Sequence, residues 1–270
     1  MTTGPRASAF TTGLSRRGLL TGIAAVVSTG LPVGAMAAPA VDGGRKFTTD
    51  GAVRGFAGNT IICHLPQQGP DNAAFNALLD IYRTAADYPF LSQATLLPPS
   101  SYHMTVFGGA NDQGRGKAGQ WPEGMPADLP LEDCHRIVGE RLKAFRADLT
   151  LPIRMAVDMD APTPSGSAIV IPLKPVDQAE NDRLRDLRQR LSQATGIRIP
   201  APDLYGFHIS LAYWIRPLTT KQEADYGRAH HNWGKALQKA APVIALGAPE
   251  FCTFRDMFAF ERQFFLSTGG

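Results

Sequence analysis

The 270-residue sequence has only three cysteines, Cys63, Cys134 and Cys252. Their odd number and wide spacing exclude a disulfide framework. One bridge stays open in an oxidising compartment, and three small buried residues is the simpler expectation. No run beyond residue 40 is long and apolar enough to span a bilayer. There is no G-x-x-x-x-G-K-[ST] loop to cradle a nucleotide triphosphate, and no G-x-S-x-G elbow to present a nucleophilic serine. No His, Cys, Asp and Glu set has metal-ligand spacing such as C-x-x-C or H-E-x-x-H. Neither a metal nor another cofactor is therefore expected.

A charge of one sign is missing as well. The formal net charge is +3, but three of the 27 basic residues, Arg6, Arg16 and Arg17, lie in residues 1–40, which hold no acid. The remaining basic residues balance the 24 Asp and Glu. A neutral protein has no global field to hold a long polyanion, which argues against long nucleic acid as a partner. A small phosphorylated ligand needs only local charge. With 44% hydrophobic and 19% charged residues, the chain is an ordinary globular one, able to bury a sizeable core.

The N-terminus reads as an address. Ser15-Arg16-Arg17-Gly18-Leu19-Leu20 is a twin-arginine signal. A weakly apolar stretch from Gly18 to Val33 follows, and Ala35-Met36-Ala37 offers a small-residue cleavage site. Residues 1–37 are thus expected to be a twin-arginine signal peptide. The mature protein is expected to be exported, periplasmic or secreted, monomeric and without a stable membrane anchor.

Residues 38–57 are rich in Gly, Thr and Asp and read as an irregular lead-in to one domain over 58–265. Asn59 to Leu65 reads as a strand. Phe75, Leu78, Leu79 and Tyr82 recur at helical spacing behind an Asp71 cap, as do Val138, Leu142, Phe145 and Leu149. Between them, residues 109–130 read as a long surface loop. A strand is expected from Ile153 to Met159 and another from Ser167 to Leu173. Leu184, Leu187 and Leu191 mark a helix ended by Gly196. Thr220 with Glu223 reads as a capping box, opening a helix whose stripe is Tyr226, His230, Trp233 and Leu237. Two strands close the chain, about Val243 to Phe251 and Phe258 to Phe265.

Within this order one short pattern occurs twice: Tyr102-His103-Met104-Thr105-Val106 and Phe207-His208-Ile209-Ser210-Leu211. Each reads as a strand, so His103 and Thr105 share one face, as do His208 and Ser210. Strand, helix, His strand, helix, strand then appears twice. This predicts an internal duplication: two pseudo-symmetric lobes around a central groove where a ligand would sit. Two imidazoles can act as base and acid near neutral pH. The two hydroxyls can donate to the non-bridging oxygens of a phosphate. By strict alternation Phe107 falls on the face of His103, and Trp214 on that of His208. Either would stack a base or close the groove, with Tyr205 a weaker candidate of opposite parity. Arg115, Lys117 and Arg216 are candidate charges at the groove mouth. His64, His135, His230 and His231 read as ordinary, with His230 packed on its helix.

The two motifs resemble those of the 2H (two-histidine) phosphoesterase superfamily, which includes cyclic phosphodiesterases and RNA 2′,5′-ligase-like proteins. The wider stretches Leu97 to Val106 and Tyr205 to Trp214 resemble an uncharacterised branch of it. The resemblance implies an α+β fold with an antiparallel sheet in each lobe. It implies that His103, Thr105, His208 and Ser210 face a groove and perform metal-free chemistry on a cyclic or strained phosphodiester. The expected activity is that of a phosphodiesterase acting on a small nucleotide or oligonucleotide with a cyclic phosphate or 2′,5′ linkage. Two alternatives stay open: a non-catalytic phosphate- or nucleotide-binding protein, and a metal-dependent hydrolase that uses histidines as ligands.

Overall fold

A computed structural model describes residues 39–198 and 205–269. The export signal read at residues 1–37 lies outside the described residues. In chain order the elements are β1 (Gly58–His64), α1 (Ala73–Arg83), β2 (Ala94–Leu96), β3 (His103–Asn111), α2 (Leu131–Lys143), β4 (Ile153–Val157) and β5 (Ala168–Pro175). There follow α3 (Gln178–Thr195), β6 (Phe207–Trp214), α4 (Thr220–Ala240), β7 (Ile244–Leu246), β8 (Glu250–Phe254) and β9 (Glu261–Phe265).

Local chemistry explains the helices. On α3, the Asp177 side chain accepts from Glu180 N at 2.8 Å, and Leu184, Leu187 and Leu191 are fully buried. Gly196 stops the helix at φ 75°, a conformation that favours glycine. On α4 the expected stripe of Tyr226, His230, Trp233 and Leu237 is buried. The reciprocal cap, however, is Thr219 with Gln222, one residue ahead of the Thr220–Glu223 pair. The N-cap position of α1 is held by Asn72 rather than Asp71, and its side chain makes no capping hydrogen bond. α2 ends at Lys143, so Phe145 and Leu149 pack against the core from beyond it.

All strand pairings are antiparallel, and the strands form one sheet ordered β7-β4-β5-β6-β3-β1-β8-β9, with β2 also on β6. The sheet curls into a half-barrel. The antiparallel α+β expectation holds, but separate sheets in two lobes are not seen. The two motif strands meet directly, with Met104 opposite Ile209. The C-terminal β8 and β9 return to the free side of β1, whereas β4 joins β5. The two sides of the β3–β6 seam therefore do not match the two halves of the sequence. The arrangement does not establish two lobes related by pseudo-symmetry.

Both motif strands carry a β-bulge at the same point. On β3, Ile62 faces Thr105 and Ile61 faces Phe107, leaving Val106 extra. On β6, Val170 faces Ser210 and Ile169 faces Ala212, leaving Leu211 extra. Each extra residue follows the motif hydroxyl, and an inserted residue sends every later side chain to the other face. This overturns the alternation expected for Phe107 and Trp214. Phe107 is 1% exposed and Trp214 fully buried, and Trp214 packs edge-on to Tyr226 of α4 at 5.1 Å. Burying a large apolar side chain is worth about 1.5–3 kcal/mol, so neither ring is available to the groove. Gly108 and Tyr213 turn towards it instead.

Past the bulge, β3 runs so close to β1 that a Cβ on Gly109 would lie 2.1 Å from Asn59 Oδ1. Only glycine fits there, and the Asn59 side chain accepts from Ala110 N at 3.1 Å. The first residues of the stretch read as a loop thus belong to β3 and line the groove. Its remainder packs on the end of α3, where Glu123 N donates to Gly196 O at 2.9 Å, and does not cover the groove. Gly114-Arg115-Gly116-Lys117-Ala118-Gly119 also spells G-x-G-x-x-G. It follows β3 but opens no helix, so it lacks the strand–turn–helix setting of a dinucleotide site.

The lead-in packs closely. Phe47 is 1% exposed and bridges to Val53, while Asp42 N donates to Trp214 O at 2.8 Å. This places Lys46 and Phe56 at the groove.

Candidate active site

His103 and Thr105 project from β3, and His208 and Ser210 from β6, into one groove of about 240 Å³. The β3–β6 pairing puts the four side chains on adjacent strands, and the strand period aims them at the same face.

The two imidazoles are held identically. His103 Nδ1 lies 2.6 Å from Ser101 O, and His208 Nδ1 lies 2.9 Å from Gly206 O. A carbonyl oxygen only accepts, so each Nδ1 carries the proton and donates it. In the neutral ring each Nε2 is then the free, basic nitrogen. Burial pushes His103 down to about 4; the Ser101 carbonyl opposes this, and the neighbouring His64 and His208 add to it. Burial also lowers His208, opposed by the Gly206 carbonyl and reinforced by the Lys46 charge. Both rings are therefore mainly neutral at pH 7, His103 the more firmly.

The family model 2H-phosphodiest, described as "Domain of unknown function (DUF1868)", matches residues 46–166. That stretch, which holds His103 and Thr105, is thus similar to the 2H phosphoesterases. A crystal structure of a conserved protein of unknown function from Agrobacterium tumefaciens is similar at 26% identity and a TM-score of 0.73. The likeness covers 83% of this chain and 90% of that one. No protein with a curated description matches. The 2H phosphoesterase family itself is associated with phosphodiester hydrolysis or ligation in general.

The chain places its remaining candidates unevenly. Tyr205 does not line the groove; its ring lies 6.2 Å from the His208 ring. The Tyr205 ring lies 3.7 Å from the Arg188 guanidinium of α3, which donates to the Val106 carbonyl at the first bulge. Arg115 donates to Asp112 at 2.8 Å and covers the Trp121 ring at 4.9 Å, and Arg216 donates to Ser92 O at 2.7 Å. Lys117 sits in the 116–125 loop. None of these three charges lines the groove. His230 is packed as expected, its Nε2 donating to Val170 O at 2.8 Å.

The aromatic wall expected from Phe107 and Trp214 is built from other residues. Phe260 meets the His103 ring edge-on at 4.4 Å and lies 5.1 Å from Phe254, which stacks on Phe56 at 6.4 Å. These rings come from the lead-in, from β8 and from the segment after it, so no local pattern near the motifs announces them. Larger depressions of about 430 and 540 Å³ lie beside the 116–125 loop and between α2 and β9. Neither holds a motif residue, and the chemistry stays in the smaller groove.

His64 is less ordinary than its sequence suggests. It stands opposite His103 on β1, with ring centroids 6.1 Å apart, and its Nδ1 lies 3.0 Å from Glu250 Oε2. Burial pushes the Glu250 carboxyl up, but the His64 hydrogen bond and the charges of His64 and Arg262 outweigh it and hold it below its ordinary value. With Cys252, His64 and Glu250 form a His/Cys/acid group within 4.8 Å among the described residues. The donor set fits a metal poorly. Arg262 Nη1 lies 3.5 Å from the same carboxylate oxygen, and burial pushes the Cys252 thiol up to about 12, away from the thiolate a metal requires.

Proposed function

We propose that this protein is a metal-independent phosphodiesterase that opens a cyclic phosphate, or a 2′,5′ linkage, in a small nucleotide or short oligonucleotide. One observation carries the reading. Two imidazoles, each anchored through Nδ1–H to the carbonyl two residues earlier, offer their Nε2 ends to one groove with Thr105 and Ser210.

His103, the ring pushed further towards neutrality, is the base. It takes a proton from water through Nε2 as the water oxygen bonds to phosphorus. His208, in its protonated state, gives its Nε2 proton to the ribose oxygen as the P–O bond breaks. The products are a phosphomonoester and a free hydroxyl. Thr105 and Ser210 donate to the non-bridging oxygens, where charge builds up. The Phe56, Phe254 and Phe260 wall offers a stacking surface for a base.

The test is a screen of purified protein against a panel of cyclic phosphates and 2′,5′-dinucleotides, repeated in excess chelator. Turnover of a panel member that survives chelation is expected. His103→Ala and His208→Ala should each lower it roughly 100- to 10,000-fold. Tight stoichiometric binding without turnover would favour the binding-protein alternative. Activity lost in chelator and restored by zinc or manganese would favour the metal-dependent one. We propose in addition that residues 1–37 direct export of the folded protein to the periplasm or medium. Among the described residues no helix is long and apolar enough to cross a membrane.

A further inference from the structure

Lys46 is a cation in a groove without acids. Among the described residues lining the groove there are two histidines, one lysine and no Asp or Glu. The body of the chain is close to neutral, and both histidines are mainly neutral at pH 7, so the positive charge of the groove is that of Lys46. Lys46 Nζ donates to the Tyr213 hydroxyl at 2.8 Å and lies 4.4 Å from the Tyr213 ring and 5.0 Å from the Phe56 ring. No carboxylate pairs with it among the described residues. The contrast is Lys174 and Lys221, which reach Asp160 and Asp225 at 2.7 Å. An ammonium has three donor protons, and one here has a protein acceptor.

The placement of this charge is built, not incidental. Asp42 Oδ2 accepts from Lys46 N at 2.6 Å and from Phe47 N at 3.1 Å, so this acid is engaged by backbone rather than by the ammonium. Phe47 is driven into the core beside Tyr213 at 5.4 Å and Phe258 at 5.8 Å. The backbone on either side of Lys46 is thereby fixed, and its side chain runs between two rings. Cation–π contact is worth about 0.5–1 kcal/mol at an exposed site and does not replace a counter-ion. The Lys46 charge is also felt at His208, whose lowered proton affinity comes first from burial and then in part from this lysine. An anion between the two would be shared by both.

We propose that Lys46 is the anion-binding residue of the groove, holding a non-bridging oxygen of a phosphate beside His208. That the phosphate is the scissile one rests on the phosphodiesterase reading; that an anion binds here does not. The lead-in then supplies a part of the site that neither motif contains. A charge-assisted hydrogen bond is shorter and roughly twice as strong as a neutral one, which suits a phosphate oxygen.

The probe is inorganic phosphate, with binding followed by the NMR shifts of the His103 and His208 ring protons in the full chain. Lys46→Met keeps the length and apolar stem without the charge, and Lys46→Arg keeps the charge. Lys46→Met is expected to weaken phosphate binding roughly 10- to 100-fold, the usual weight of a charged hydrogen bond. Lys46→Arg should stay within a few-fold of wild type. If Lys46→Met fails to fold, Tyr213→Phe removes the lysine's acceptor and leaves the charge; it should keep most of the affinity. Phosphate binding unchanged in Lys46→Met, or lost equally in Lys46→Arg and Tyr213→Phe, would overturn the proposal. The two readings fail separately. Turnover that needs both histidines, with phosphate binding indifferent to Lys46, sinks the anion site alone. Lys46-dependent phosphate binding without turnover of any diester sinks the phosphodiesterase reading alone.

Discussion

The proton states of a few side chains carry most of the chemistry. If His103 is the base, kcat/KM falls as pH drops through its value of about 4. If His208 is the acid, kcat/KM falls again as pH rises through its value, which lies below the ordinary 6.5. The expected profile is a bell with its maximum on the acid side of neutrality, its two limbs belonging to the coupled pair. A profile flat from pH 6 to 9 would remove the requirement for a protonated His208. Thr105→Val and Ser210→Ala should each lower kcat/KM roughly 10- to 1,000-fold, as loss of an oxyanion donor does. The same burial has a stability consequence. His103, His135, His208 and His230 all have lowered values in the folded chain. Above the unfolded value of about 6.5 both states are neutral there and the histidines contribute no pH dependence. Below it the unfolded chain binds protons that the folded one refuses, so stability falls as pH drops. Denaturant titrations from pH 8 to 5 should show a plateau and then a decline. His230→Gln, remote from the groove, should make the decline shallower without altering the rate profile.

At the scale of the element, the bulges decide what each motif strand presents. β3 and β6 deliver histidine and hydroxyl to the groove, then turn Phe107 and Trp214 into the core. Gly109 follows the first bulge where β3 crowds Asn59, so Gly109→Ala should destabilise by about 1–3 kcal/mol, the range for overpacking. It should also lower turnover by moving β3. Gly108→Ala is the control, because a Cβ there meets nothing within 4 Å. Equal melting temperatures for the two variants would show that the close approach of β3 to β1 is not needed.

Across the whole molecule, one continuous sheet joins the strands that bear both histidines. A single cooperative unfolding transition is therefore expected by calorimetry and by circular dichroism. Two separated transitions would mean that the sides of the β3–β6 seam fold independently. The proposed export belongs at this scale too. Changing Arg16→Lys and Arg17→Lys together should leave folded precursor in the cytoplasm. Normal processing of that double variant would remove the twin-arginine proposal.

The sequence by itself determined most of the elements and the pairing of histidine with hydroxyl on each motif strand, but it read β7 and β8 as one strand over about Val243 to Phe251 and did not show β2. Hydrophobic period and capping chemistry are local, so α3, α4 and both His strands could be read from neighbours a few residues apart. Period two sufficed to put His103 with Thr105 and His208 with Ser210, because each pair lies ahead of its bulge. Only the tertiary structure decided the rest. A bulge depends on the partner strand's register, which the strand's own sequence does not encode, so Phe107 and Trp214 were misplaced. The same is true of Lys46, Phe254 and Phe260. They reach the groove from the lead-in and the C-terminus, and their place is set by long-range strand pairing and by burial of Phe47. His64 looked ordinary because its partners, His103 and Glu250, become its neighbours only across β3 and β8.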